Sequence, residues 1–390
     1  MGAITDQENL RLAFWKASKG KNSKHDCRAF QEDLDRNLDQ LQSDLLMDRT
    51  PVGNYHFFTV HDPKERRICA ASFRERVLHH ALMNVCEPVL EKAAVFDSYA
   101  CRKGKRRLAA IERAFGCARS LGWYLKLDVR KYFDSIDHAS LRRLLCRRFK
   151  DPEVLSIFDR IIGSYQTQPG RGLPIGNLTS QHFANFYLGP LDRFIKEKLG
   201  RKAYVRYMDD FVVWGSSGQE LRPVRDQIRK FLAKELNLEL KPNLIINRTD
   251  LGMDFLGYRI FPDTVRLARR SKQRFARKFR AYERAYLLGQ WTELQLQRHR
   301  HAGIVGFVMQ ADSWGFRRHI FKRFGVAAIG LEPRESRGQL EQQRDQLPGG
   351  KPQQQLAGQR EQQHRVPVRP APSSIPTVEC FGTDPAAILS

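Results

Sequence analysis

No apolar run approaches the roughly 18 residues a membrane-spanning helix needs, and the N-terminus lacks the apolar core of about 7 to 15 residues that marks a secretory signal. A spanning or secreted protein is therefore not expected. No CxxC pair occurs either. The seven cysteines, Cys27, Cys69, Cys86, Cys101, Cys117, Cys146 and Cys380, are scattered and odd in number, which excludes a disulfide framework or zinc ribbon and suits reduced thiols in a cytosolic protein. Acidic residues are in deficit: 43 Asp and Glu stand against 67 Lys and Arg, a formal net charge of +24. Such a potential attracts polyanions, nucleic acid most commonly and an acidic membrane surface less so. Residues 331–390 carry seven basic and seven acidic side chains, so the whole excess sits in residues 1–330.

At 390 residues and 41% hydrophobic composition, the chain can bury one large core or two modest ones. Leu38, Leu41, Leu45 and Leu46 recur at helical spacing in a polar N-terminal stretch, and a basic block around Lys64, Arg66 and Arg67 precedes an apolar-periodic helix over 77–89 whose core positions include Leu78, Leu82 and Val85. The segment WYLKLD, 123–128, reads as a strand ending on a carboxylate. A helix with Leu141, Leu144, Leu145 and Phe149 on one face follows. A glycine-rich loop, 170–177, then opens a helix expected to bury Phe183, Phe186 and Phe194. Residues 203–214 read as a hairpin around Met208-Asp209-Asp210, and 253–260 as a second hairpin. From about 266 to 323 the chain is basic and helical, with Phe275, Phe279 and Tyr282 interleaved among arginines and lysines. A solvated charged face and a nucleic-acid groove fit that pattern equally. Ten glutamines fall between Gln339 and Gln363 among Gly and Pro, and disorder is expected there.

The chemistry concentrates in three carboxylates. Tandem acids inside an apolar hairpin repel one another and resist burial unless a cation pairs with them. An ordinary polar turn would explain an isolated Asp-Asp. It explains Asp209-Asp210 less well, because aromatic and aliphatic residues flank the pair and a strand-end acid, Asp128, stands upstream. Three acids on adjacent strand ends can hold two magnesium ions roughly 3.5–4 Å apart, the arrangement that phosphodiester synthesis uses. Consecutive strand residues point to opposite faces, so Asp209 and Asp210 need not be equivalent, and Asp128 with Asp209 are the expected principal ligands.

YMDD at 207–210 and LDVRKYFDSID at 127–137 resemble the two metal-binding motifs of reverse transcriptases. Further matches follow in order: ERRICAASFRERVLHHAL (65–82) and SYACRKG (98–104) resemble the fingers motifs, GLPIGNLTSQ (172–181) the loop beneath the incoming nucleotide, and LELKPN (238–243) and FLGY (255–258) the late palm and primer-grip motifs. The resemblance covers about residues 50–325. It implies an α+β right-hand polymerase: an N-terminal helical extension (1–50), fingers (51–122), a palm with an antiparallel sheet (123–262, with a fingers insertion about 140–175), a basic helical thumb (263–330) and a disordered tail (331–390).

The same resemblance implies residue roles. Asp128, Asp209, Asp210 and the Val129 carbonyl would hold Mg2+, with Mn2+ a possible substitute. Lys131 and Tyr132 would offer backbone N–H groups to the triphosphate, and Phe133 would exclude a 2′-hydroxyl, core packing being its competing role. Ile175 and Gly176 would lie under the nucleotide. Arg66, Arg67, Arg74, Arg76 and Arg102 are candidates for gripping phosphates. Lys241 would protonate the departing pyrophosphate. Phe255, Leu256, Gly257 and Tyr258 would form the primer grip, and Arg269, Arg270, Lys272, Arg277 and Lys278 would contact nucleic acid.

Most bacterial relatives carry Gln-Gly at the start of the loop and Ser-Pro at its end; here Ile175-Gly176 and Ser180-Gln181 stand there, which looks like the reverse transcriptases of diversity-generating retroelements. That subfamily copies template adenines inaccurately, and an aliphatic Ile175 removes a hydrogen-bonding contact. The tail fits the same reading. If Gln339–Gln343 is encoded CAG CTG GAA CAA CAA, the next frame reads Ser-Trp-Asn-Asn, resembling the end of the diversified proteins, so the tail would be a by-product of an overlapping template repeat. Implied partners are a structured template RNA, the RNA/cDNA duplex, dNTPs and a small basic, oligomeric accessory variability protein. Service to a retron, an intron or a defence system is the alternative, as is an RNA-binding scaffold without catalysis.

Overall fold

In the computed structural model the described residues are 1–61 and 65–325; Lys64 and the glutamine-rich tail lie outside them. They form two compact units, Met1–Ala268 and a second beginning at Arg269. Helix and strand are mixed in the first and helices make up the second, an α+β architecture. Among the described residues no helix is long and apolar enough to cross a membrane.

The first unit holds three antiparallel assemblies. Strands β1 (Tyr55–Val60) and β2 (Arg66–Ala71) form a ribbon. Strands β3 (Trp123–Asp128), β4 (Tyr204–Tyr207), β5 (Asp210–Gly215) and β6 (Ile245–Arg248) make a sheet in the order β4-β5-β3-β6. Strands β7 (Met253–Phe255), β8 (Tyr258–Ile260) and β9 (Val265–Leu267) make a small meander. The sequence shows two hairpin strands here; β9 adds a third, so strand pairing runs on to Leu267, past residue 262.

The period-two pattern of a strand sets the faces of the central sheet. Leu125, Leu127, Phe211 and Val213 lie in the main hydrophobic core. Lys126, Asp128 and Asp210 consequently fall on the opposite face, at registers Lys126↔Val212 and Asp128↔Asp210. Helix Phe73–Ala93 buries Val77, Leu78, Ala81 and Leu82 in the same core. Its start is capped by Ser72, whose Oγ accepts from the Glu75 N–H at 3.3 Å. Leu38, Leu41 and Leu45 are buried as expected from their spacing, whereas Leu46, one position round from Leu45, is 62% exposed. Helix Leu178–Tyr187 buries Phe183, but Phe194 lies beyond it, in a π-helical turn after Gly189-Pro190, where it stacks on Phe231 at 4.3 Å. Of the described cysteines, Cys27, Cys69, Cys86, Cys117 and Cys146 are free thiols.

The second unit packs helices Arg269–Leu287, Glu293–Gly306 and Trp314–Phe324. The aromatic residues of the first helix serve its core: Phe279 is buried against Phe321 at 4.9 Å, and Phe275 meets Phe316 at 5.8 Å. Phe279 is fully buried and Phe275 half-buried in this packing. A buried ion pair, Arg300 Nε to Glu283 Oε1 at 2.6 Å, ties the first two helices.

Candidate active site

Three chain segments meet at the ends of β3 and β5. Asp128 closes β3, Asp210 opens β5 directly across from it, and Asp209 sits with Met208 in the turn before. Sequence alternation favoured Asp128 and Asp209 as the principal pair; in the sheet it is Asp210 that pairs in register with Asp128. Asp209 is the turn residue beside them. Burial, then repulsion from Asp128, pushes its carboxyl up to about 6. Burial also raises Asp210, with Lys126 partly opposing it.

Each of the paired acids spends one oxygen on a lysine. Asp128 Oδ2 accepts from Lys241 Nζ, and Asp210 Oδ2 lies 3.1 Å from Lys126 Nζ. The other oxygen of each, Asp128 Oδ1 and Asp210 Oδ1, is buried without a hydrogen-bond partner. Buried carboxylate oxygens are expensive to leave unsatisfied. Among the described residues no three His, Cys, Asp or Glu side chains converge into a formed metal cage. Even so, the donor chemistry suits a hard divalent cation: oxygen ligands only, clustered charge, and two unsatisfied oxygens on facing strand ends.

Lys241, expected as a proton donor, is bonded to Asp128 by both its ammonium and its backbone, the latter at 2.9 Å to the Asp128 carbonyl. It lies on a segment, 239–241, that runs antiparallel to 128–130: Arg130 N–H donates to the Glu239 carbonyl at 2.8 Å, and Val129 bridges to Leu240. Val129 itself is buried. Lys131 takes a left-handed conformation (φ 44°) and leads a single helical turn, Tyr132–Ser135. The Tyr132 ring is buried and its hydroxyl donates to the Ala184 carbonyl, while Phe133 is half-buried with its ring 5.8 Å from Tyr132.

The loop 170–177 joins this turn to the β1–β2 ribbon. Gly172 and Leu173 N–H groups donate to the Ile136 and Phe133 carbonyls, each at 2.9 Å. At the far end, the Ile175 carbonyl accepts from Cys69 N–H at 2.7 Å and Asn177 Oδ1 from Ala71 N–H at 3.2 Å. Gly176 (φ 122°) lies so close to β2 that a Cβ would sit 2.8 Å from Ile68 Cγ2.

The five candidate arginines divide. Arg66 and Arg67 are exposed on β2, Arg67 over the Phe57 ring at 4.3 Å. Arg74 is paired with Asp44, Arg76 Nε donates to the Ala71 carbonyl at 2.9 Å, and Arg102 grips Glu91 at 2.6 Å and the Val95 carbonyl. The last three are committed to holding the fold. In the FLGY segment, Phe255 and Tyr258 are buried neighbours across a two-residue turn whose Leu256 (φ 50°) and Gly257 (φ 88°) are both left-handed. In the second unit, Arg269, Arg270 and Arg277 are exposed and Lys272 and Lys278 half-buried. Lys272 lies 5.9 Å from the Phe316 ring.

Two supports escaped sequence reading. Lys126 stands two residues before Asp128, a spacing that puts both on one strand face and could have been noticed. Arg206 could not. It is buried, bonds Asp192 with both Nε and Nη2, and reaches Asn185, Ser98 and the carbonyl of Met208 in the turn. Burial alone would lower this guanidinium, and Asp192 outweighs that effect and raises it.

A sequence model described as reverse transcriptase (RNA-dependent DNA polymerase) matches residues 61–260. Protein YkfC of Escherichia coli K12 is 25% identical over 268 residues, 55% of this chain and 70% of that protein. The group II intron-encoded protein LtrA of Lactococcus lactis subsp. cremoris is 22% identical over 303 residues, 59% of this chain and 50% of LtrA, so the chain spans about half the length of that relative. Among solved structures, telomerase from Candida albicans in complex with a fragment of telomeric RNA aligns with a TM-score of 0.45 at 10% identity, covering 75% of this chain and 58% of that one.

Proposed function

Since the chain belongs to the reverse transcriptase family of RNA-directed DNA polymerases, its model match spanning residues 61–260, we propose that Asp128, Asp209 and Asp210 are the ion-binding acids of its polymerase site and that it copies a structured RNA into cDNA. The observation that carries this reading is the Asp128↔Asp210 register with an unsatisfied buried oxygen on each side. In this reading the β3–β6 sheet is a palm, the β1–β2 ribbon belongs to fingers, and the second unit is a thumb.

Asp128, Asp209 and Asp210 would hold two magnesium ions, with manganese able to replace them. When bound there, such ions would supply the positive charge needed to acidify the primer 3′-hydroxyl and to neutralise the pyrophosphate leaving group. The chain's own groups do the rest. The backbone at Lys131 and Tyr132 presents N–H groups toward the triphosphate, and the exposed Arg66 and Arg67 add guanidinium charge from the fingers side. Tyr132, locked on Ala184, keeps Phe133 in place against the sugar, where its ring excludes a 2′-hydroxyl. Lys241 keeps an ammonium beside Asp128, near where pyrophosphate departs. The FLGY turn lies on the primer side, and Arg269, Arg270, Lys272, Arg277 and Lys278 supply basic charge to the duplex.

The finer reading is a diversity-generating retroelement enzyme, error-prone at template adenines, working with a small basic accessory protein. Its support is Ile175-Gly176 with Ser180-Gln181 in the loop. The likeness to LtrA supports service to an intron instead. Neighbouring DNA discriminates: a template repeat beside a variable gene supports the first reading.

The activity is tested with purified protein, primed RNA, dNTPs and Mg2+. Extension by the wild type, lost in Asp128→Asn and Asp209→Asn and in chelator, is the expected result. Extension that survives either substitution overturns the assignment.

A further inference from the structure

We propose that Lys126 is a positioning residue that ties the acid-bearing strand ends to the primer-side hairpin through a single ammonium; the proposal rests on the polymerase reading above. Lys126 lies on β3 on the same face as Asp128, two residues away. Its Nζ is 3.1 Å from Asp210 Oδ2 and donates to the backbone carbonyl of Asp254 at 2.6 Å. The same ammonium lies 5.6 Å from the centroid of the Phe255 ring. Asp254 and Phe255 belong to β7, the strand that enters the Leu256-Gly257 turn.

An ammonium shared between a side-chain carboxylate and a main-chain carbonyl fixes two things together. By engaging Oδ2, it leaves Oδ1 as the buried oxygen of Asp210 without a hydrogen-bond partner. By engaging the Asp254 carbonyl, it sets the height of the hairpin relative to that oxygen. The main-chain contact matters more than the charge, because a carbonyl cannot move without moving the strand. Charge neutralisation alone would need only the contact to Asp210. The Asp254 side chain itself turns to Arg259 at 3.4 Å, across the β7–β8 pair. Lys126 and Asp210 are 21% and 25% exposed, and a partly screened ion pair adds modestly to folding stability. The consequence of removing Lys126 should therefore appear in the alignment of primer end and acids, not in whether the protein folds.

The test compares Lys126→Met and Lys126→Arg with wild type. In primer extension, Lys126→Met should lower kcat by about 100-fold, the scale of a misplacement near 1 Å. It should also raise the primer KM, with the dNTP KM within about twofold of wild type. Lys126→Arg should recover most of kcat, since a guanidinium reaches both oxygens. Amide hydrogen exchange over 253–260 should quicken in Lys126→Met and return toward wild type in Lys126→Arg, while 204–215 exchanges as before. This second readout does not need catalysis. Quicker exchange in a protein whose wild type extends no primer would sink the polymerase reading and leave the tether standing. Wild-type kcat and primer KM in Lys126→Met, or unchanged exchange of the hairpin, overturns the proposal.

Discussion

Arg206 Nη2 stands 2.6 Å from Asp192 Oδ2 with both side chains buried, and the same guanidinium donates to the carbonyl of Met208 at 3.0 Å. Met208 carries a left-handed backbone (φ 55°), a conformation that a residue with a side chain adopts only when its surroundings impose it. The buried pair thus holds the turn that carries Asp209. Removing one partner strands a charge in the core, so Asp192→Ala should cost about 3–5 kcal/mol, read as a lower urea midpoint. The double replacement Arg206→Met with Asp192→Leu should recover much of that loss, since a buried pair exchanged for apolar groups is often near neutral. It should not recover polymerisation, because the guanidinium that bonds the Met208 carbonyl is then gone. Full activity in the stable double variant would show that Arg206 serves packing alone.

The Asp209 carboxyl, pushed up to about 6 by burial and by Asp128, predicts an unusual pH response. An unfolded aspartate titrates near 3.9. Between those two values the folded chain binds more protons than the unfolded one, so this group's contribution to unfolding free energy falls as pH rises through about 4 to 6 and is flat above. Other carboxylates act the opposite way, so the readout is a difference. Wild type minus Asp209→Asn should show stability declining with pH across that window in chelator. Added Mg2+ should reverse the trend, because ion binding favours the ionised carboxylate, and its stabilising effect should be larger at about pH 7.5 than at about pH 5.5. A wild-type minus variant difference that is flat across the window would mean that Asp209 titrates ordinarily.

The acids were legible in sequence because strand period and tandem charge are local signals: WYLKLD alternates, and YMDD interrupts an apolar hairpin. Their pairing was not. Whether Asp209 or Asp210 faces Asp128 depends on whether the turn takes one residue or two, and the Met208-Asp209 turn decides it by starting β5 at Asp210. Arginine roles were equally hidden. Arg66, Arg67, Arg74, Arg76 and Arg102 look alike in a basic segment, and only the positions of Asp44, Glu91 and the Ala71 carbonyl, set by tertiary packing, separate exposed from committed side chains. For the same reason the interleaved pattern could not show that Phe275 and Phe279 meet Phe316 and Phe321 of the third helix in their unit.

Ile175 offers a test of copying accuracy. Its carbonyl is locked on Cys69 N–H at 2.7 Å, so a substitution at this position changes the side chain with the loop backbone held. A glutamine would restore a group able to hydrogen-bond near the nascent base pair. One such bond is worth about 0.5–1.5 kcal/mol, or roughly 2- to 10-fold in discrimination. Ile175→Gln should therefore reduce misincorporation opposite template adenine by about that factor and leave errors opposite other bases less affected. Equal error rates in wild type and variant would remove Ile175 from the explanation.

The neighbouring glycine predicts how the loop couples to the ribbon. A Cβ at Gly176 would sit 2.8 Å from Ile68 Cγ2 and 3.0 Å from the Cys69 carbonyl oxygen, on a backbone at φ 122°. Gly176→Ala should cost about 1–3 kcal/mol from backbone strain and crowding together. Relief requires the loop to lift from β2, which breaks the Ile175–Cys69 bond, so the dNTP KM should rise while the primer KM stays near wild type. Adding Ile68→Ala removes the side-chain clash but neither the carbonyl contact nor the strained φ. The double variant should therefore regain only part of the lost stability and keep the raised dNTP KM. Complete rescue by Ile68→Ala would locate the whole effect in side-chain crowding and free the loop backbone from any part in nucleotide binding.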